Sequence, residues 1–290
     1  MATGRDRKPE NPNNEIDAFL RRGEHDLAFQ AWPGDNFLVR AQSGNAALRR
    51  ALISTVRERT RHATLPEALT NRDIVAFTRG KVTPMVRGLF PAVEQERVLD
   101  TLARSVVFLT PATIDGVLEQ MPWLRTAWDL ANLYLADWDA ELLSEDAPLL
   151  AGLSVGTTCY LSGGYFDQSG RFDDFLVHEV AHIFHNCKRV TIGLPETKRK
   201  EWLLEIEFSK RETFAYTCEA YSRILELADG AKERLRMLAE HGQGPMPSDE
   251  RVNVDEYMDI LREAVTVRNG WKRILKRCSP PVSSPAREPQ

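Results

Sequence analysis

The sequence predicts an α+β fold that is mostly α, with a small sheet packed on one buried helix. Three observations lead there. Apolar residues recur at helical spacing along most of the chain, as in the stripe Leu48, Ala51, Leu52 and Val56. Two stretches, 105–110 and 152–162, are short, rich in strand-forming residues and closed by Pro111 or by Gly163 and Gly164. A third stretch is apolar nearly all round, with Phe175, Leu176, Val177, Val180, Ala181, Ile183 and Phe184, yet it carries His178, Glu179 and His182. That pattern belongs to a helix inside a core.

Taken in order, residues 1–14 are polar, carry Pro9 and Pro12, and are expected to be disordered. A short helix follows from Ile16 to about Arg22, and Phe37, Leu38 and Val39 read as a brief strand. Gly44 and Asn45 open a helix over 46–59. Further helices are expected at 66–79, 81–88 and 92–103, divided by Gly80 and by the Phe90-Pro91 break. After the strand at 105–110 come helices at 112–120 and 122–138. Trp123, Trp128 and Trp138 of the second sit among leucines and read as core.

An acidic irregular segment, 139–150, leads to one or two strands at 152–162. The histidine-bearing helix runs from about Asp173 to Cys187, and a polar loop spans 188–199. A long helix over 199–228 stops at Asp229-Gly230. Helices at 231–240 and 252–276 close the fold, and a Pro- and Ser-rich tail, 279–290, is expected to be disordered. The implied organisation is a disordered 1–14, a mostly helical region 15–140, a core domain 141–278 and the tail 279–290.

Composition sets bounds. The 290 residues are 42% hydrophobic and 28% charged, as in ordinary globular chains. A net charge of −4 argues against a general nucleic-acid binder, and basic runs such as Lys198-Arg199-Lys200 lie among acids as solvated faces. The N-terminus lacks the apolar core of a secretory signal, and no apolar run is long enough for a membrane span. Four cysteines, Cys159, Cys187, Cys218 and Cys278, form no Cys-x-x-Cys pair or disulfide pattern, which fits a reducing cytoplasm. The expected partner is a peptide or protein substrate, with neither nucleic acid nor membrane involved.

Chemistry concentrates at 178–185, where three of the six histidines fall. At about 100° per residue, His182 lies about 40° from His178 and His185 about 20° to the other side, so the three imidazoles share a helix face. His-Glu-x-x-His on a helix is a zinc-binding arrangement in which the glutamate acts as base. Two neutral imidazoles and one further protein ligand leave a fourth position for water, whose pKa zinc lowers to about 7. Glu179, one residue round, reaches such a water. His185 lies too close along the same helix for tetrahedral ligation. It reads as a residue behind or beside the site, or as a plain core histidine.

The third ligand has to come from elsewhere. On the long downstream helix, Glu212, Tyr216 and Glu219 share a face at i, i+4 and i+7, with Arg223 beyond, and the apolar Phe214, Ala215 and Cys218 beside them. At least one of these carboxylates is therefore half-buried and in need of a partner. A metzincin would place its third histidine at 188, which is Lys188, and is excluded.

Here the chain resembles the gluzincin zinc metallopeptidases, over about 155–225. In that group a glutamate on a second helix completes the site, within a Glu-x-x-Ala/Ser-Asp pattern. Glu212-Thr-Phe-Ala215 matches its first four positions, and Tyr216 stands where the aspartate would be. The resemblance implies a zincin-like core, a Zn2+ held by His178, His182 and Glu212, and a sheet whose edge strand, here 157–162, aligns an extended peptide. Glu219, one turn on, is the substitute for the missing acid or the alternative third ligand. Similar motifs occur in compact intracellular regulatory peptidases of the ImmA/IrrE sort. A weaker resemblance, to peptide deformylases, would make Cys159 a ligand, although Ala181 stands where their aspartate belongs.

The expected activity is that of a cytoplasmic zinc-dependent metallopeptidase, a hydrolase with Glu179 as general base. Tyr216, Tyr221 and His185 are the candidates for a second oxyanion donor, Tyr216 foremost. Two alternatives stand beside it. One is a zincin fold that binds or regulates without turnover; the other is an accidental motif in a helical interaction protein.

Overall fold

The computed structural model describes residues 11–148, 150–167, 170–197 and 200–281. In chain order the elements are α1 (Pro12–Arg22), α2 (Phe37–Arg59), a 3-10 turn (Glu67–Leu69), α3 (Ile74–Leu89), α4 (Ala92–Ala103) and β1 (Val106–Leu109). Next come α5 (Ile114–Gln120), α6 (Leu124–Asp137), β2 (Gly152–Val155), β3 (Thr158–Ser162) and a 3-10 turn (Gly163–Asp167). Then follow α7 (Phe175–Asn186), 3-10 turns Arg189–Ile192 and Phe208–Lys210, α8 (Arg211–Leu227), α9 (Ala231–His241), α10 (Val254–Thr266) and α11 (Gly270–Cys278). The fold is thus mostly helical with one small sheet. Among the described residues, no helix is long and apolar enough to cross a membrane.

Packing divides the chain into two compact units. The first takes the residues up to Thr70, Phe108–Ala151 and Ser162–Gly164; the second takes Asn71–Val107, Gly152–Leu161 and the chain from Tyr165 onward. Helices α3 and α4 therefore belong with the histidine-bearing helix. In the first unit, Phe19, Leu48, Leu52, Val56, Leu118 and Trp128 are buried together, and Trp128 Nε1 donates to the Leu20 carbonyl at 2.9 Å. Trp123 departs from its expected core role. It precedes the first turn of α6 and is 69% exposed.

Several boundaries move, each for a local reason. Asn11 accepts from the Asn13 N–H and Pro12 occupies the first turn, so α1 begins inside the segment expected to be disordered. Residues 1–10 and 282–290 of the two expected tails lie outside the described residues. Phe37, Leu38 and Val39 form the first turn of α2 rather than a strand, because Asn36 Oδ1 accepts from the Val39 N–H at 3.1 Å. Gly44 does not open that helix; it lies within it, where Phe29 and Trp32 leave no room for a Cβ.

Asp73 caps α3 through the Ala76 N–H, and the helix continues through Gly80. A glycine in mid-helix costs about 1 kcal/mol, too little to stop a helix that buries Val82, Met85 and Val86. The expected helix over 199–228 is shorter, starting at Arg211. Upstream of it, Leu203 and Leu204 donate to the carbonyls of Cys187 and Phe184 at 2.9 and 2.8 Å, closing the end of α7. Glu205 likewise takes the N–H groups of Glu201 and Trp202. The last expected helix is two. Asn269 caps α11 through the Lys272 N–H and donates from Nδ2 to the Gly88 carbonyl at 3.0 Å, which separates α10 from α11.

The sheet has the order β1-β3-β2. β2 and β3 form an antiparallel hairpin with Gly152 opposite Leu161 and Ser154 opposite Cys159. β3 is consequently the central strand and cannot present a free edge. The edge that packs on α7 is β2.

Candidate metal centre

The site is built in the second unit, on the paired helices α7 and α8. α7 begins where it does because the Asp174 carboxylate accepts from the Val177 N–H at 3.2 Å. That carboxylate is buried, so it needs further partners. The Tyr165 hydroxyl donates to Oδ1 at 2.9 Å, and Lys81 Nζ donates to Oδ2 at 2.7 Å. Lys81 also reaches Glu226 at 2.7 Å. From this anchored start the helix carries His178 and Glu179 on its next turn and His182 one turn later, all largely buried.

Glu212, in the first turn of α8, meets the two histidines. Its Oε2 lies 3.7 Å from His178 Nε2 and 3.4 Å from His182 Nε2, and the two imidazole nitrogens are 3.2 Å apart. Four ligands placed tetrahedrally at zinc-ligand bond lengths of about 2.0–2.1 Å stand about 3.3–3.4 Å from one another. The three observed separations bracket that value. These residues are the group among the described residues that could hold a metal ion.

Electrostatics point the same way. Burial alone disfavours a charged His178, but the carboxylates of Glu212, Glu219 and Glu179 outweigh it and raise the imidazole to about 10. Burial would raise Glu212, and the imidazoles of His178 and His182 instead hold it below the usual carboxylate range. The cluster therefore favours positive charge, which a divalent cation would supply.

Each of the three candidate ligands has a partner behind it. Glu219 accepts at Oε1 from the Asp174 N–H at 2.7 Å, and its Oε2 lies 3.0 Å from His178 Nδ1. It thus joins α8 to the start of α7 and to His178, and stands outside the candidate metal group. His182 Nδ1 lies 3.3 Å from His185 Nε2. Burial, then the charges of His182 and Arg211, lower His185 to about 3, so it is neutral, and its buried Nδ1 has no hydrogen-bond partner among the described residues. Glu212 Oε1, turned away from the histidines, meets Arg251 Nη1 at 3.1 Å.

Glu179 is held from β2. The Ser154 hydroxyl reaches its Oε2 at 2.6 Å and its backbone carbonyl at 2.8 Å. A Cβ at Gly152 would stand 2.7 Å from Glu179 Cγ, so the strand approaches this closely only as glycine. Tyr216 sets its ring edge-on against His178, centroids 4.4 Å apart. Burial and the charges of Glu219, Asp249 and Glu212 push its phenol up to about 12.

Two candidates fall away from the site. Tyr221 packs its ring on Trp271, 4.8 Å between centroids, with its hydroxyl against Gly270. Cys159 is fully buried on β3, its thiol pushed up chiefly by that burial, and is not in the ligand group. Ser154, Arg251 and the Lys81–Asp174–Tyr165 anchor had no sequence motif to mark them. Only Asp174 carries a signal in the sequence, as an acidic side chain at the start of a helix. Comparison with family models, with curated proteins and with solved structures gives no match for this chain.

The anchor can be tested without metal. Replacing Asp174 by Ala removes the cap and one of the contacts of Lys81 and of Tyr165, and should cost about 3–5 kcal/mol in urea unfolding. Glu226→Ala, at a third exposed, should cost under about 1 kcal/mol. Equal losses would mean that the anchor is an ordinary surface pair.

Proposed function

We propose that this chain is a zinc-dependent peptidase of the gluzincin type, with His178, His182 and Glu212 holding the metal and Glu179 as general base. The observation that carries this reading is the spacing of the three ligand atoms, with a carboxylate one residue round from the first. The donor set suits zinc: two imidazoles and one carboxylate oxygen, three protein ligands as in hydrolytic sites. Bound there, zinc would bring a water's pKa to about 7 and polarise a carbonyl.

The chain's own residues supply the rest. Ser154 occupies Glu179 Oε2, which leaves Oε1 to take the water's proton and pass it to the leaving amine. Glu219 orients His178, and His185 stands behind His182, so both imidazoles turn Nε2 inward. Tyr216, with a phenol that stays protonated at neutral pH, is the donor for the developing oxyanion. The β2 edge offers backbone groups to an extended peptide, in place of β3. An acid supplied by Glu219 supports a working site over a zincin fold that only binds. Four buried free cysteines suit a cytoplasmic location.

Glu179→Gln should keep zinc and slow hydrolysis of an unfolded protein such as casein by about 10²–10⁴-fold. Cleavage at the wild-type rate would end the mechanism. The pH dependence of zinc affinity follows from His178. Its proton must leave before the metal binds, and below about 10 the group is charged. Affinity should therefore rise with pH, by about tenfold per unit near neutrality. A flat profile in competition titrations against a chromophoric chelator would show that no such proton is displaced.

A further inference from the structure

Arg251 follows α9, on a stretch that shares no motif with the two site helices, and its side chain is 67% exposed. Exposed ion pairs are usually mobile and weak. This one is fixed twice. Asp249 Oδ1 accepts from Arg251 Nε at 2.9 Å and from its backbone N–H at 2.8 Å, and Asp249 Oδ2 lies 2.5 Å from Nη2. The fork so oriented sends Nη1 to Glu212 Oε1 at 3.1 Å, while Glu212 Oε2 faces the two imidazoles. The two carboxylate oxygens thus have different tasks.

That division matters for a metal. A carboxylate can offer one oxygen or both, and the second oxygen takes the coordination position that a hydrolytic site keeps open for water. We infer that Arg251 is a positioning residue that confines Glu212 to a single-oxygen donor and so keeps the fourth position free. The inference rests on the metal reading above. It separates two properties that usually fall together: metal affinity, to which Arg251 contributes nothing or which it opposes as a rival cation, and openness of the site, which it secures.

The test uses the full-length protein loaded with cobalt(II), whose visible absorption reports added ligands, and imidazole at about pH 8, where it is mostly uncharged and responds little to the loss of the arginine's charge. In the wild type, imidazole should shift the spectrum. In Arg251→Ala the shift should need about tenfold more imidazole or fail, while zinc affinity is unchanged or higher. Arg251→Lys, which keeps a cation near Oε1, should restore much of the response. Arg251→Gln, close in shape, serves if the alanine variant does not fold. An unaltered imidazole response in Arg251→Ala and Arg251→Gln would overturn the inference. A fall of about tenfold in zinc affinity would do so too, because it would make Arg251 a plain support of the ligand. Failure of the wild type to take up either metal would instead overturn the metal reading itself.

Discussion

The second unit is organised by a charge problem inside its core. Glu212 and Glu219 face His178 and His182 between two packed helices, and Glu179 is buried against β2. Carboxylates in such a place are stable only when their charge is answered. The imidazoles answer part of it, and within Glu212 and within Glu219 the two carboxylate oxygens have different partners. Oε1 and Oε2 of Glu219 go to the Asp174 N–H and to His178, and those of Glu212 go to Arg251 and to the paired histidines. The centre is therefore a set of directed contacts in which each group has one task.

Supports radiate from that set into the fold. Glu219 ties α8 to the first residue before α7, and Asp174 at that point ties α7 to α3 through Lys81. Ser154 and Gly152 bring β2 against Glu179, so an edge strand of the three-stranded sheet stands beside that carboxylate. Residues 203 and 204 close the far end of α7 by taking its last carbonyls. Both ends of the helix are thus pinned, which fixes the i, i+4 histidine pair in direction as well as in spacing.

The histidine–glutamate cluster is legible in the sequence because its spacing is local. His178, Glu179 and His182 follow from one helical turn, and Glu212 and Glu219 from the periodicity of the next long helix. The supports were hidden because they act across distance in the chain: Lys81 is 93 residues from Asp174, and Ser154 is 25 from Glu179. Boundaries failed where one side chain decided them. Asn36 turned Phe37–Val39 into helix, and Asn269 cut the last helix in two. The order of the sheet was likewise not in the pattern of β3 itself, since alternation along a strand does not say which neighbours it has.

The most direct test is the zinc content of protein purified without added metal or chelator, measured by elemental mass spectrometry for the wild type beside Glu212→Ala. The account predicts about one zinc per wild-type chain and a large loss in the variant. A wild-type chain that carries no zinc, and takes up none when it is supplied at neutral pH, would contradict it.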